Sequence, residues 1–248
     1  MNDIYMESPS QDYYDIWSAA GRHLHSISQG AINWIKSEPN PPFLEHLSFR
    51  LGNRIFFLRF EDVDECAQLP GNPDGLLTIA EGYKSKACLL PMKKNGTEWT
   101  PVFPGWGLVD AVTRAPFNPV DLVTDENIEM TDWELQDFAV QVVRNSLAQE
   151  GYEIMTYNSR PGVFPSIWFI RDEIPEWVVV TYALYPVMKT NGADIVSDVY
   201  ESINTGASGN LAEVFISSSE ELKNITNVPI PPYRGHGLSV NFKGLTSY

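Results

Sequence analysis

Apolar residues recur at spacings of three and four near the start of the chain. Tyr13, Ile16, Trp17, Ala20, Leu24, Ile27, Ala31, Trp34 and Ile35 share one helical face. That spacing predicts an amphipathic helix across the whole stretch, ended by the Pro39-Asn40-Pro41-Pro42 run. Gly21 and Gly30 lie inside it and weaken it by about 1 kcal/mol each relative to alanine. Arg54 to Phe60, rich in aromatic and branched residues, reads as a strand. Gly71 to Gly75 is a turn cluster. Leu76 to Tyr83 reads as a short helix and Ala87 to Met92 as a second buried strand. Trp99 to Pro119 holds four prolines and two glycines among large apolar residues, which predicts an ordered loop.

The clearest local signal follows. Thr131-Asp-Trp-Glu134 fits a capping box, in which Thr131 and Glu134 satisfy each other's free N–H groups. Leu135, Phe138, Ala139, Val142, Val143 and Leu147 supply the apolar stripe, and Gly151 the stop. Tyr152 to Tyr157, Ser166 to Ile170 and Trp177 to Tyr185 read as strands. The unbroken Val178-Val179-Val180 run predicts a central strand covered on both faces. Ala193 to Tyr200 reads as a helix, and Leu211 to Ile216 and Leu238 to Phe242 as the last strands.

This order predicts an α/β (mixed α+β) fold with a central mixed sheet flanked by helices. Its second half repeats the helix-then-strand order of the first, so two related lobes are expected, 1–125 and 126–248. Side-chain similarity between the halves is too low to define a sequence repeat. The 248 residues suit one large domain or two small ones.

Charge narrows the partners. Acids number 32 against 17 bases, a net charge of −15. Nucleic-acid phosphates and anionic membranes both call for the opposite balance, so neither is expected as a partner. A basic protein would be drawn in and steered. Acidity also serves solubility. The first residues, with Asp3 and Glu7 and no base, lack a secretory pattern, and no apolar run is long enough to span a bilayer. A cytoplasmic location with free Cys66 and Cys88 is the expectation.

A search for chemistry returns little. Gly105-Trp106-Gly107 and Gly235-His236-Gly237 lack the third glycine of a dinucleotide fingerprint, and no phosphate loop occurs. Gly206 to Gly209 lacks the spacing of a nucleophile elbow. His23 and His25 fall on different faces of a helix, and His46 and His236 have no spaced partner. No catalytic residue, metal ligand or cofactor is assigned. Glu61, Asp62, Asp64 and Glu65 form an acidic knot after a strand, where a cation or a basic partner could sit. Asp121, Asp125, Glu126, Glu129, Asp132, Glu134 and Asp137 form a second run with no Lys or Arg. The helix dipole explains Asp132 and Glu134. Asp125, Glu126 and Glu129 have no local reason, so with Asp121 they are candidates for a docking surface, with Trp106 or Trp133 as exposed aromatic anchors.

A helix carrying an acid, a hairpin and a central Val-Val-Val strand resemble the skeleton of the PD-(D/E)xK nuclease fold. Glu134 opens the helix, Pro165-Ser166 stands at the Pro-Asp place, and Val178 to Thr181 at the Glu-x-Lys place. A two-metal nuclease needs carboxylates and a lysine there. The resemblance therefore implies a catalytically empty core.

Phe43 to Phe49 with Asn53 to Phe57, Gly105 to Leu108, Met130 to Leu135, Pro165 to Phe169 and Trp177 to Val180 resemble a bacterial family of largely uncharacterised proteins. Its members are similar to immunity proteins encoded beside secreted antibacterial toxins, including type VI nuclease effectors. The resemblance implies a protein that binds a cognate basic toxin and occludes its active site. The alternatives are a metal-dependent hydrolase assembled from distant acids and a scaffold in a secretion apparatus.

Overall fold

A computed structural model of the chain describes residues 10–36, 46–65, 67, 69–70, 73–187, 189–203, 206–223 and 228–248. These contain four α-helices and two mixed six-stranded sheets. The fold is mixed α/β, as the periodicities predict. The chain divides into two compact units, Met1–Glu126 and Asn127–Tyr248.

The first unit runs α1 (Gln11–Ile27), β1 (Ile32–Lys36), β2 (Leu47–Leu51), β3 (Arg54–Asp62), α2 (Pro73–Gly82), β4 (Lys86–Asn95), β5 (Glu98–Pro101) and β6 (Val109–Asp110). The sheet order is β1-β2-β3-β4-β5, with β6 beside the start of β4. Only β3 and β4 are parallel, joined through α2. Phe56, Leu58 and Phe60 turn one face of β3 into the core that Tyr13, Ile16, Trp17, Ala20 and Leu24 of α1 complete. Phe57, on the other face, meets Tyr83 edge-on at 4.8 Å. Alternation of period two thus gives β3 two buried faces.

The helix predicted through Ile35 stops eight residues early, and Ile32–Lys36 is a strand. Ser28 caps α1, its N–H donating to Leu24 O at 3.0 Å. Gln29 (φ 52°) and Gly30 (φ 80°) then turn the backbone left-handed. Right-handed helix cannot continue through such residues, so Ala31, Trp34 and Ile35 keep helical spacing without helical backbone. The predicted Pro39–Pro42 stop lies outside the described residues. The expected loop Trp99 to Pro119 holds most of β5 and all of β6.

The second unit runs α3 (Asp132–Gln149), β7 (Glu153–Tyr157), β8 (Ile167–Arg171), β9 (Ile174–Leu184), α4 (Gly192–Ser202), β10 (Ser208–Ser218), β11 (Leu238–Phe242) and β12 (Thr246–Ser247). Its order is β11-β10-β9-β8-β7, with β12 beside the start of β10. β9 and β10 are parallel through α4, and the other pairs are antiparallel. Val178 and Val180 face α3, whereas Trp177 and Val179 face α4, as the Val-Val-Val run predicts.

The two units follow the same path: helix, three-strand meander, helix, parallel strand, antiparallel strand, and a short last strand. The correspondence reaches single residues. Each first strand has a register shift, after the pairs Trp34–Phe49 and Ile154–Phe169. Each meander closes on a two-residue turn, Gly52-Asn53 and Asp172-Glu173. Both turns use positive φ, at Gly52 in one and at both residues in the other, which matches the twist of paired strands.

Candidate partner-binding surface

Ser166, just before β8, and Gln136, on α3, make structural bonds to β9. Ser166 is fully buried, and its Oγ accepts from the Val180 N–H at 3.2 Å. Gln136 Nε2 donates to Val180 O at 3.0 Å. β8 begins its pairing with β9 at Ile167↔Val178. The Val180 backbone groups lie past that point, and these two side chains supply their partners. An unmet buried backbone group would cost about 1–3 kcal/mol.

Glu134 is likewise engaged. Its carboxylate accepts from Arg234 Nη2 at 2.8 Å, from Arg234 Nε at 3.0 and 3.1 Å, and from the Thr131 N–H at 2.9 Å. The two charged side chains are 5% and 1% exposed. The capping box forms as predicted, and Arg234 is the part that local sequence does not reveal. The Cys88 thiol donates to Phe57 O at 3.4 Å, and burial pushes its pKa far up, which suppresses the thiolate. Cys66 lies outside the described residues. Burial and the Asp132 charge also push up Tyr182, whose hydroxyl donates to Asp132 at 3.1 Å. Among the described residues no three His, Cys, Asp or Glu side chains gather as a metal site.

The acidic knot lies at the C-terminal end of β3 and is largely compensated. Arg114 Nη1 lies 2.7 and 2.8 Å from the two Glu61 oxygens. The Asp62 carboxylate accepts the N–H groups of Asp64 at 3.0 Å and Ala67 at 2.9 Å. Lys93 approaches Asp64 at 3.8 Å. Glu65 is exposed in a left-handed backbone (φ 53°). Nearby, Lys86 hydrogen-bonds Asp110, and with the N–H groups of Thr113 and Val112 it holds that carboxyl well below the usual range.

The second run is different. Asp121, Asp125 and Glu126 are exposed, and the nearest ion pair is Arg54 to Glu126 at 3.7 Å. Their backbone is nevertheless fixed. Asn53 Nδ2 donates to Glu126 O at 2.8 Å and Thr124 Oγ1 at 3.0 Å, and Asn53 Oδ1 accepts the Thr124 N–H at 3.2 Å. Arg54 Nε donates to Leu122 O at 2.8 Å. Gly52 permits the close approach, since a Cβ there would lie 2.5 Å from Val123 Cγ1. Val120 and Leu122 stand among these acids at 51% and 38% exposure.

Within the first unit the structure does not gather the predicted acidic residues into one patch. Arg54 and Glu61 mark opposite ends of β3, roughly 23 Å apart at a strand rise of about 3.3 Å per residue. Glu129 belongs to the second unit, where it bridges to Tyr233. The aromatic anchors are not free. Trp106 is half-buried against the first core, and its carbonyl lies 3.2 Å from His23 Nε2. Trp133 is half-buried under the Arg160 guanidinium at 5.7 Å. An open cleft of about 490 Å³ between α1 and β5 is lined by Asp15, Ser18, Arg22, Thr97, Glu98 and Trp99 among others. It mixes both signs of charge, and neither periodicity nor spacing could have announced it.

The second unit is an α/β domain with a mixed sheet between two helices. Residues 133–248 match a family described as a domain of unknown function (DUF8840). No curated protein and no solved structure is significantly similar to the chain.

Proposed function

We propose that this protein is an immunity protein: it captures a cognate basic toxin, a nuclease, and occludes its active site. The observation that carries the reading is the exposed acidic segment Asp121–Glu126, pinned by Asn53 and Arg54 and carrying two exposed apolar side chains. A fixed backbone lowers the ordering cost of binding. Exposed carboxylates in excess of bases speed the encounter with a cationic surface, and Val120 and Leu122 add apolar contact. Both units are acidic, with 17 acids against 10 bases in the first and 15 against 7 in the second. That extends the attractive field over the whole chain.

The test is co-expression with the protein encoded beside this gene. The expected result is a stable complex and rescue of growth from that protein's toxicity. A neighbour that is neither toxic nor bound refutes the reading.

A further inference from the structure

Four strands end the two main strand orders, beside the two-residue strands β6 and β12, and three of the four carry features that discourage pairing with another chain. β1 has a register shift around Ile35 and ends on Lys36. β7 has one around Met155 and begins on Glu153. β5 is four residues long, with Glu98 at one end and Pro101 at the other. Bulges, charges, prolines and short length all blunt an edge. β11 has none of these. Leu238-Ser-Val-Asn-Phe242 pairs with β10 over five consecutive residues without a shift, and it contains no charge and no proline. Among the described residues no strand pairs with its outer side.

Its apolar residues lie on the face that α3 covers. Phe242, Val240 and Leu238 are opposite Val214, Ile216 and Ser218. Leu238 and Phe242 pack against the core that holds Val214 and Ile216. Val240, between them, is 39% exposed. The core therefore ends in an incompletely covered apolar stripe along an open edge.

We propose that β11 pairs antiparallel with β11 of a second copy of this chain, on a two-fold axis at Val240. The strand has the same pattern from either end: apolar, polar, apolar, polar, apolar. With Val240 opposite Val240, Leu238 meets Phe242 and Ser239 meets Asn241. Opposed residues in an antiparallel pair share a face, so apolar meets apolar on one side and hydroxyl meets amide on the other. A slip of one residue sets apolar against polar and loses this match. The register also brings Lys243 opposite Gly237 of the second copy, so the two ammonium groups stand at opposite ends of the paired strands. An isologous contact of this kind closes as a dimer. The net charge of −15 on each copy opposes it, so the dimer strengthens as salt screens that repulsion. The proposal is independent of toxin binding, because none of the acids at 121–126 lies on β11.

The experiment is sedimentation of the 27.9 kDa chain over the micromolar range, at low and high salt. The expected result is a monomer–dimer equilibrium that shifts to dimer with salt. Val240→Lys and Val240→Glu each place like charges opposite each other and are expected to weaken the dimer by about a hundredfold or more. An equimolar mixture of the two is expected to form a heterodimer. Val240→Cys, a milder change that guards against loss of fold, is expected to cross-link 240 to 240 with a short bis-maleimide, mapped by mass spectrometry. A chain monomeric throughout, a dimer indifferent to Val240→Lys, or no 240–240 cross-link overturns the proposal.

Discussion

Three residues show how the second core is held. Ser166 donates its N–H to Val178 O at 2.8 Å and accepts the Val180 N–H. Ser166→Ala leaves that buried N–H unmet and is expected to lower stability by about 1–3 kcal/mol in urea unfolding. An unchanged midpoint would show that the bond contributes nothing. Glu134 and Arg234 form the buried ion pair. Removing either partner alone is expected to cost about 3–5 kcal/mol, whereas Glu134→Leu with Arg234→Met recovers much of the loss. A double-mutant cycle on unfolding free energy reads the coupling. Asp110 supplies the pH dependence. Its pKa is lowered by Lys86 first and by backbone N–H groups next. Its stabilising contribution is therefore full above the unfolded carboxylate value and lost as pH falls toward the lowered one. Asp110→Asn is expected to be less stable than the wild type at neutral pH, with a gap that narrows below about pH 4. A gap that widens in acid would contradict this. At this scale the sequence showed one half of each pair. Glu134 was legible as a cap because its partner Thr131 is local. Arg234 was not, because 100 residues of chain separate them, and no local spacing encodes that meeting. The same holds for Arg114 on Glu61 and Asn53 on Thr124.

At the scale of elements, α3 and β9 were legible because every local signal agreed: capping box, stripe and glycine stop for one, a branched run for the other. The start of the chain was not. Apolar spacing carries on through Trp34 and Ile35, but the backbone turns left-handed at Gln29 and Gly30, a change that spacing does not register. The glycines provide the test. Gly21 lies inside α1 with open space at its Cβ, whereas Gly30 has φ +80°. Gly21→Ala is expected to stabilise by about 0.5–1 kcal/mol and Gly30→Ala to destabilise by about 1 kcal/mol or more. A continuous helix through Ile35 would make both substitutions stabilising, and thermal unfolding of the two variants decides. β2 was hidden for another reason. Leu47-Ser-Phe-Arg-Leu51 does alternate apolar and polar residues, but over five residues only, and its neighbour β3 drew the stronger reading.

At the scale of the molecule, the acidic balance was plain from composition, but its placement was not. The two richest acid windows of the first unit fall at opposite ends of β3, and they differ in kind. One is matched by Arg114, Lys93 and backbone N–H groups. Among the described residues the other has Arg54 beside Glu126 and Asn118 on Asp121. The docking role we propose therefore falls on Asp121, Asp125 and Glu126, with Val120 and Leu122. The same placement separates two salt responses. Capture of a basic toxin weakens with ionic strength, whereas pairing of two acidic copies strengthens. No helix among the described residues is long and apolar enough to cross a membrane.

The central claim is electrostatic capture, and the most direct measurement is the association rate between this chain and the purified neighbouring toxin by stopped flow across ionic strength. The account predicts a rate that falls steeply with salt. It also predicts a rate at least about tenfold slower at low salt for Asp121→Lys with Asp125→Lys and Glu126→Lys, while Asp172→Lys with Glu173→Lys, on the β8–β9 turn, changes it less. A rate indifferent to salt and to the triple reversal would contradict it.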